Sequence, residues 1–80
     1  MGYHTKEIEK GKIGQFSKIK EEFEELEDAF NQNDTILMLV EMTDLYGAME
    51  EYIKRWNLDM SQLKEFSDKT KSAFRDGTRE

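Results

Sequence analysis

Six of the eight residues from Glu21 to Asp28 are carboxylic acids, and a second pair, Glu41 and Asp44, lies inside the most apolar stretch of the chain, between Val40 and Leu45. Like charges three or four residues apart on a helix repel by roughly a few tenths of a kcal/mol per pair. Only Lys20 adjoins the acidic run. A solvated acidic face is the plain reading of such a run. The alternative is a divalent cation, which would offset the repulsion. Glu22 and Glu25 are three apart, as are Glu41 and Asp44. On a helix that spacing is about 60° around the axis and about 4.5 Å along it, so each pair points one way. If the two helices pack antiparallel, as a short connection suggests, all four carboxylates converge. Unpaired buried charge is costly enough that four such groups require cations. Oxygen donors with no Cys and a single His suit Mg²⁺, with Mn²⁺ as a substitute, better than Zn²⁺. Glu22, Glu25, Glu41 and Asp44 are therefore the candidate catalytic and metal-binding residues.

The elements that must position them follow from the apolar pattern. Phe16, Ile19, Phe23, Leu26 and Phe30 are spaced 3, 4, 3, 4, one stripe of a helix running from about Ile13 to Phe30. Asn31 to Asp34 reads as a polar turn. A second helix is expected from about Thr35 to Trp56, capped by Asp34 or Asn33. Its apolar positions, Ile36, Leu37, Leu39, Val40, Leu45, Tyr46, Met49, Ile53 and Trp56, are too many for one narrow face, so part of its girth should meet another copy. A third helix begins near Met60: Asp59 with Gln62 fits a capping box, Leu58 with Leu63 a hydrophobic staple, and Gly77 a stop. Residues 1–12 form a polar arm loosened by Gly2, Gly11 and Gly14, with no firm structure assigned. Residues 13–80 form the helical domain.

The bulk composition agrees. With 80 residues the chain is one domain at most, and a core of that size usually needs a staple. There is no Cys, which leaves a metal or self-association as a homodimer or homotetramer. Proline is absent, which favours an all-α chain, a bundle of about three helices completed by self-association. The net charge of −6 argues against nucleic acid as a partner. No apolar run is long enough to span a membrane, and no secretory signal is visible, so the expected location is cytoplasmic.

Taken together, these residues resemble a family. Glu22-x-x-Glu25, fifteen residues, then Glu41-x-x-Asp44 resembles the signature of the MazG-like all-α nucleoside triphosphate pyrophosphohydrolases. Lys20 to Leu26 resembles the family's first motif and Glu41 to Tyr46 its second. The tail from Ser67 to Arg75 resembles its Asn-Asp-Lys…Arg stretch, with Ser67 where many members have Asn. The resemblance covers residues 13–79. It implies Mg²⁺ held by Glu22, Glu25, Glu41 and Asp44, cleavage of the α–β linkage to a nucleoside monophosphate and pyrophosphate, and substrate phosphates bound by Lys69, Lys71 and Arg75. The N-terminal pattern of His4, Lys6 and Glu7, with Lys10-Gly11-Lys12 and Gly14, is more similar to small phage-encoded members. Some of these, called MazZ, convert dGTP to dGMP in a phage nucleotide pathway, acting in the host cytoplasm.

Two other readings stand beside this one. The chain could be a non-enzymatic helical interaction or regulatory module with an acidic docking face, or a phosphoribosyl-ATP pyrophosphohydrolase from the same superfamily. His4 reads as a solvent-exposed terminal histidine rather than a substrate contact. Tyr52 and Trp56 read as core or interface rather than base-stacking residues. Met38, Met42 and Met49 read as adaptable core filling. Lys10, Lys12 and Lys18 form either a phosphate-binding edge or a solvated arm.

Overall fold

The computed structural model describes residues 4–77; Gly2 and residues 78–80 of the expected helical domain lie outside the described residues. Three helices follow in order, α1 (Phe16–Asn31), α2 (Thr35–Ile53) and α3 (Met60–Arg75), with a short 3₁₀ turn at Lys54–Trp56 and no strand among the described residues. This is the all-α architecture expected from the sequence. No described helix is long and apolar enough to cross a membrane.

The helix ends are set by local hydrogen bonding. The first helix starts at Phe16 rather than Ile13, because Gly14 takes a left-handed φ of 84° and the Gln15 amide closes a turn onto the Lys12 carbonyl at 3.0 Å. It ends where Asn33 enters the left-handed region at φ 61°. There the Asn33 amide donates to the Phe30 carbonyl and the Asp34 amide to the Ala29 carbonyl, the paired bonds of a Schellman stop. The Asp34 side chain then accepts from the Leu37 amide at 3.0 Å and caps α2. The second helix was expected to reach Trp56. Its last turn instead tightens to 3₁₀ and closes on Asn57 at φ 59°, with the Leu58 amide reaching back to Ile53. Both halves of the Asp59–Gln62 capping box open α3.

The short turn at Gln32–Asp34 sends α2 back along α1, and Phe16 at the start of α1 meets Tyr52 near the end of α2, ring centroids 5.9 Å apart. The two helices are thus antiparallel. Tyr52 also packs edge-on against Trp56 at 6.2 Å, although Trp56 is 59% exposed and so is not part of the core. What lies between the helices departs from the expected stripe. The buried apolar residues are small or few, namely Ala29, Leu37 and Ala48, and the buried residues beside them are Glu21, Glu22, Asp28 and Glu41. The Phe16–Phe23–Phe30 stripe points to the opposite side of the helix, about 170° from that acidic face, and Phe30 is 65% exposed. Leu39, Met42 and Tyr46 on α2 are also exposed. The third helix buries none of its residues and only borders α2, where Tyr46 and Met49 face Met60 and Leu63 across a shallow groove. The functional consequence is that α1 and α2, without α3, supply the carboxylates of the acidic centre.

Candidate metal centre

The antiparallel pair brings the four expected carboxylates together. Side-chain oxygens of Glu22, Glu41 and Asp44 lie within 4.8 Å of one another, as do those of Glu21, Glu22 and Glu25. Glu22 thus links the two groups. A third group, on the same distance limit, joins His4 to Glu25 and Glu41. The reason is local: Glu21, Glu22, Glu25 and Asp28 fall on one face of α1, and Glu41 and Asp44 on the facing side of α2. Glu22 and Glu41 are nearly sealed from solvent, at 5% and 4% exposure. Each has one oxygen, Oε1, that is buried without a hydrogen-bond partner. Buried polar atoms are normally paired, and an unpaired charged one is expensive.

The other oxygens are partnered. Lys18 Nζ lies 3.1 Å from Glu21 Oε1 and 3.0 Å from Glu22 Oε2. These bonds, the Glu22 one foremost, raise the lysine's pKa against the effect of burial. Burial pushes Glu21 upward, but the Gly11 amide, donating at 2.8 Å, and Lys18 outweigh it, so its pKa is lowered. Glu22 moves the other way: burial raises it, and the neighbouring charges of Asp44 and Glu21 add to that despite Lys18. Glu25 rises furthest, to about 7, through burial first, then a hydrogen bond shared with Glu21, then repulsion by Glu22 and Glu41. Six carboxylates (Glu21, Glu22, Glu25, Asp28, Glu41 and Asp44) therefore face one partly buried ammonium, Lys18, and the imidazole of His4. After burial, repulsion among these carboxylates is part of what raises Glu25, and a divalent cation would relieve it.

His4 was expected to be exposed, and the structure corrects this: its side chain is 14% exposed and sits in the acidic centre. Its Nδ1 lies 3.0 Å from Asp28 Oδ2 and its Nε2 3.1 Å from Glu41 Oε2. Burial lowers its pKa, but hydrogen bonds to Asp28 and Glu41 outweigh that and raise it. Asp28, held down to about 2 chiefly by the Thr5 hydroxyl and amide, also accepts from Gln32. The described part of the arm, from His4 to Gly11, is therefore tied to α1 rather than loose. Sequence reasoning missed Glu21 and Asp28 as members of the centre; the signal was there, since both share the helix face of Glu22 and Glu25. Lys18, three and four residues before Glu21 and Glu22, was legible by the same spacing.

A cleft of about 640 Å³ opens beside the centre, bordered by His4, Lys10, Glu25, Leu37, Glu41 and Asp44. Asp44 also borders a second hollow with Lys18 and Glu22. Lys69, Lys71 and Arg75 lie on α3 and border neither; Lys69 Nζ sits 5.3 Å from the centre of its own helix's Phe66 ring. No protein-family model, curated protein or solved structure has significant similarity to the chain.

Proposed function

We propose that the chain is a Mg²⁺-dependent nucleoside triphosphate pyrophosphohydrolase of the MazG-like kind, with dGTP, converted to dGMP, as the first substrate to test. The observation that carries this reading is the pair of buried, unpartnered oxygens, Glu22 Oε1 and Glu41 Oε1, on two residues that share one carboxylate group with Asp44. These donors are hard oxygens, and they fit a hard divalent cation. Such an ion would neutralise a triphosphate and act as a Lewis acid on its phosphoryl oxygens. The chain's own contribution is to hold Glu22, Glu25, Glu41 and Asp44 on two packed helices, and to leave an open cleft beside them for the nucleotide. Lys10, bordering that cleft, supplies a cation for phosphate oxygens. Lys69, Lys71 and Arg75 can join it only through association of chains or a change in the position of α3. Exposed Phe23, Phe30, Leu39, Met42 and Tyr46 favour association, as a homodimer or homotetramer, because large apolar patches mark contact surfaces. The test is Glu41→Gln, which should abolish hydrolysis while the helical circular dichroism persists. Wild-type turnover in that variant would refute the assignment.

The same exposed apolar side chains favour a second reading, a helical interaction module without catalysis. It predicts no stabilisation by Mg²⁺ plus nucleotide, whereas a ligand that binds the folded state must stabilise it. The phosphoribosyl-ATP alternative is separated from the first reading by including that compound among the substrates tested.

A further inference from the structure

The N-terminal arm carries a feature that the four-carboxylate reading leaves unused. Its residues are pinned to α1 at two places. At one end Thr5 donates its amide to Asp28 Oδ2 at 2.9 Å and its hydroxyl to Asp28 Oδ1. At the other the Gly11 amide donates to Glu21 Oε1 at 2.8 Å. Gly11 comes so close to the first turn of α1 that a Cβ there would lie 2.2 Å from the Ser17 carbonyl oxygen. Asp28 and Glu21 are seven residues apart on α1, about 10 Å along its axis. The arm thus runs past Glu25, which lies between them, and His4 is delivered to the centre by a fixed track.

The imidazole has a defined orientation there. Asp28 takes donors from Thr5 and Gln32, and as a carboxylate it has only acceptor atoms to offer His4 Nδ1. Nδ1 therefore carries a proton, and Nε2, which faces inward, is the nitrogen whose proton a metal would displace. Nε2 meets two further acceptors, Glu41 Oε2 at 3.1 Å and Glu25 Oε1 at 3.6 Å. Donor atoms about 2.1 Å from a common ion lie about 3 Å apart when adjacent in an octahedron. The observed separations are close to that. Glu41, almost fully buried, also has its unpartnered Oε1 in the same centre. A carboxylate that fixes one imidazole nitrogen so that the other can bind metal is a recurrent arrangement.

We infer that His4 Nε2 is a metal ligand together with Glu25 and Glu41, and that Asp28 is the residue that positions it. The inference rests on the reading of the carboxylates as a divalent-cation centre and changes its donor set. One imidazole nitrogen among oxygens favours borderline ions such as Mn²⁺ or Co²⁺ more than an all-oxygen set does. The arm then closes the centre, and its docking and metal binding support each other.

His4 is the sole histidine, so the experiment assigns itself. Mn²⁺ is bound to the full chain, and its electron spin echo is recorded with natural-abundance protein and with ¹⁵N-histidine-labelled protein. The expected result is a ¹⁴N modulation that changes to the ¹⁵N pattern on labelling. Mn²⁺ affinity should fall by about 10–100-fold in His4→Ala and in Asp28→Asn, with Mg²⁺ affinity falling less. Bound Mn²⁺ without nitrogen modulation, together with wild-type Mn²⁺ affinity in His4→Ala, would overturn the assignment of His4 and leave the carboxylate centre standing. Absence of Mn²⁺ binding to the wild-type chain would overturn both.

Discussion

Without metal, the protein should become less stable as pH rises through neutrality, and Glu25 should be the main cause. Its pKa in the folded protein is about 7, against an ordinary value of 4.5. The folded state therefore binds more protons than the unfolded state between those values, and stability falls across that window as the proton is lost. A rise from 4.5 to about 7 corresponds to about 3 kcal/mol once pH exceeds the folded value. Glu22, raised in the same direction by burial, adds to the fall. His4, also raised, contributes stability that is complete below its ordinary value and lost as pH climbs through its folded one. Asp28 and Glu21 are lowered and act in the opposite direction, but only at acid pH, where their stabilisation is lost as pH falls. For a domain of this size about 3 kcal/mol is a change in melting temperature of at least 10 °C. The assay is thermal unfolding by circular dichroism in chelator from pH 5.5 to 8. Glu25→Gln should flatten most of the slope and raise the melting temperature at pH 8, since the amide can donate to Glu21 as the protonated carboxyl does. A melting temperature that is flat or rises over this range in the wild-type chain would refute the reasoning, as would an unchanged slope in Glu25→Gln.

Three further outcomes follow from the geometry. Gly11→Ala should release the arm, because the new methyl group would meet backbone atoms of Ser17 and Lys18 rather than a movable side chain; amide exchange at residues 5–11 should accelerate while α1 and α2 stay protected. Asp34→Ala removes the cap on the Leu37 amide and should cost about 1 kcal/mol, read as a lower denaturant midpoint at unchanged slope. Leu39→Glu places a charge on an exposed apolar face of α2 and should weaken the proposed self-association, read as a lower molar mass than the wild-type chain in light scattering, with helicity retained.

Much of this arrangement was legible in the residues, and the exceptions have physical causes. The capping box at Asp59 and Gln62 and the polar turn before Asp34 are local hydrogen-bonding patterns, so they survived the passage from sequence to structure. The convergence of Glu22, Glu25, Glu41 and Asp44 followed from helical spacing and a short connection. The Phe16–Phe30 stripe was legible as a helix face but not as an outward one. Periodicity identifies an apolar face and says nothing of whether the covering surface belongs to the same chain. His4 was misplaced because its order depends on contacts 24 and 37 residues away in sequence, with Asp28 and Glu41. A polar terminal segment has no periodic signal for such contacts. For the same reason the tail pattern, from which Lys69, Lys71 and Arg75 were expected to bind phosphate, could not position α3.

The proposed activity is cleavage of the α–β linkage of a nucleoside triphosphate by this acidic centre loaded with a divalent cation. The direct measurement is phosphorus magnetic resonance of a dNTP and NTP panel, dGTP first, incubated with the purified chain and Mg²⁺, with a parallel sample in chelator. The expected products are nucleoside monophosphate and pyrophosphate in equal amounts, with both absent from the chelated sample. Release of inorganic phosphate and diphosphate would contradict the assigned linkage, and intact triphosphates throughout the panel, with the protein folded, would contradict the enzyme itself.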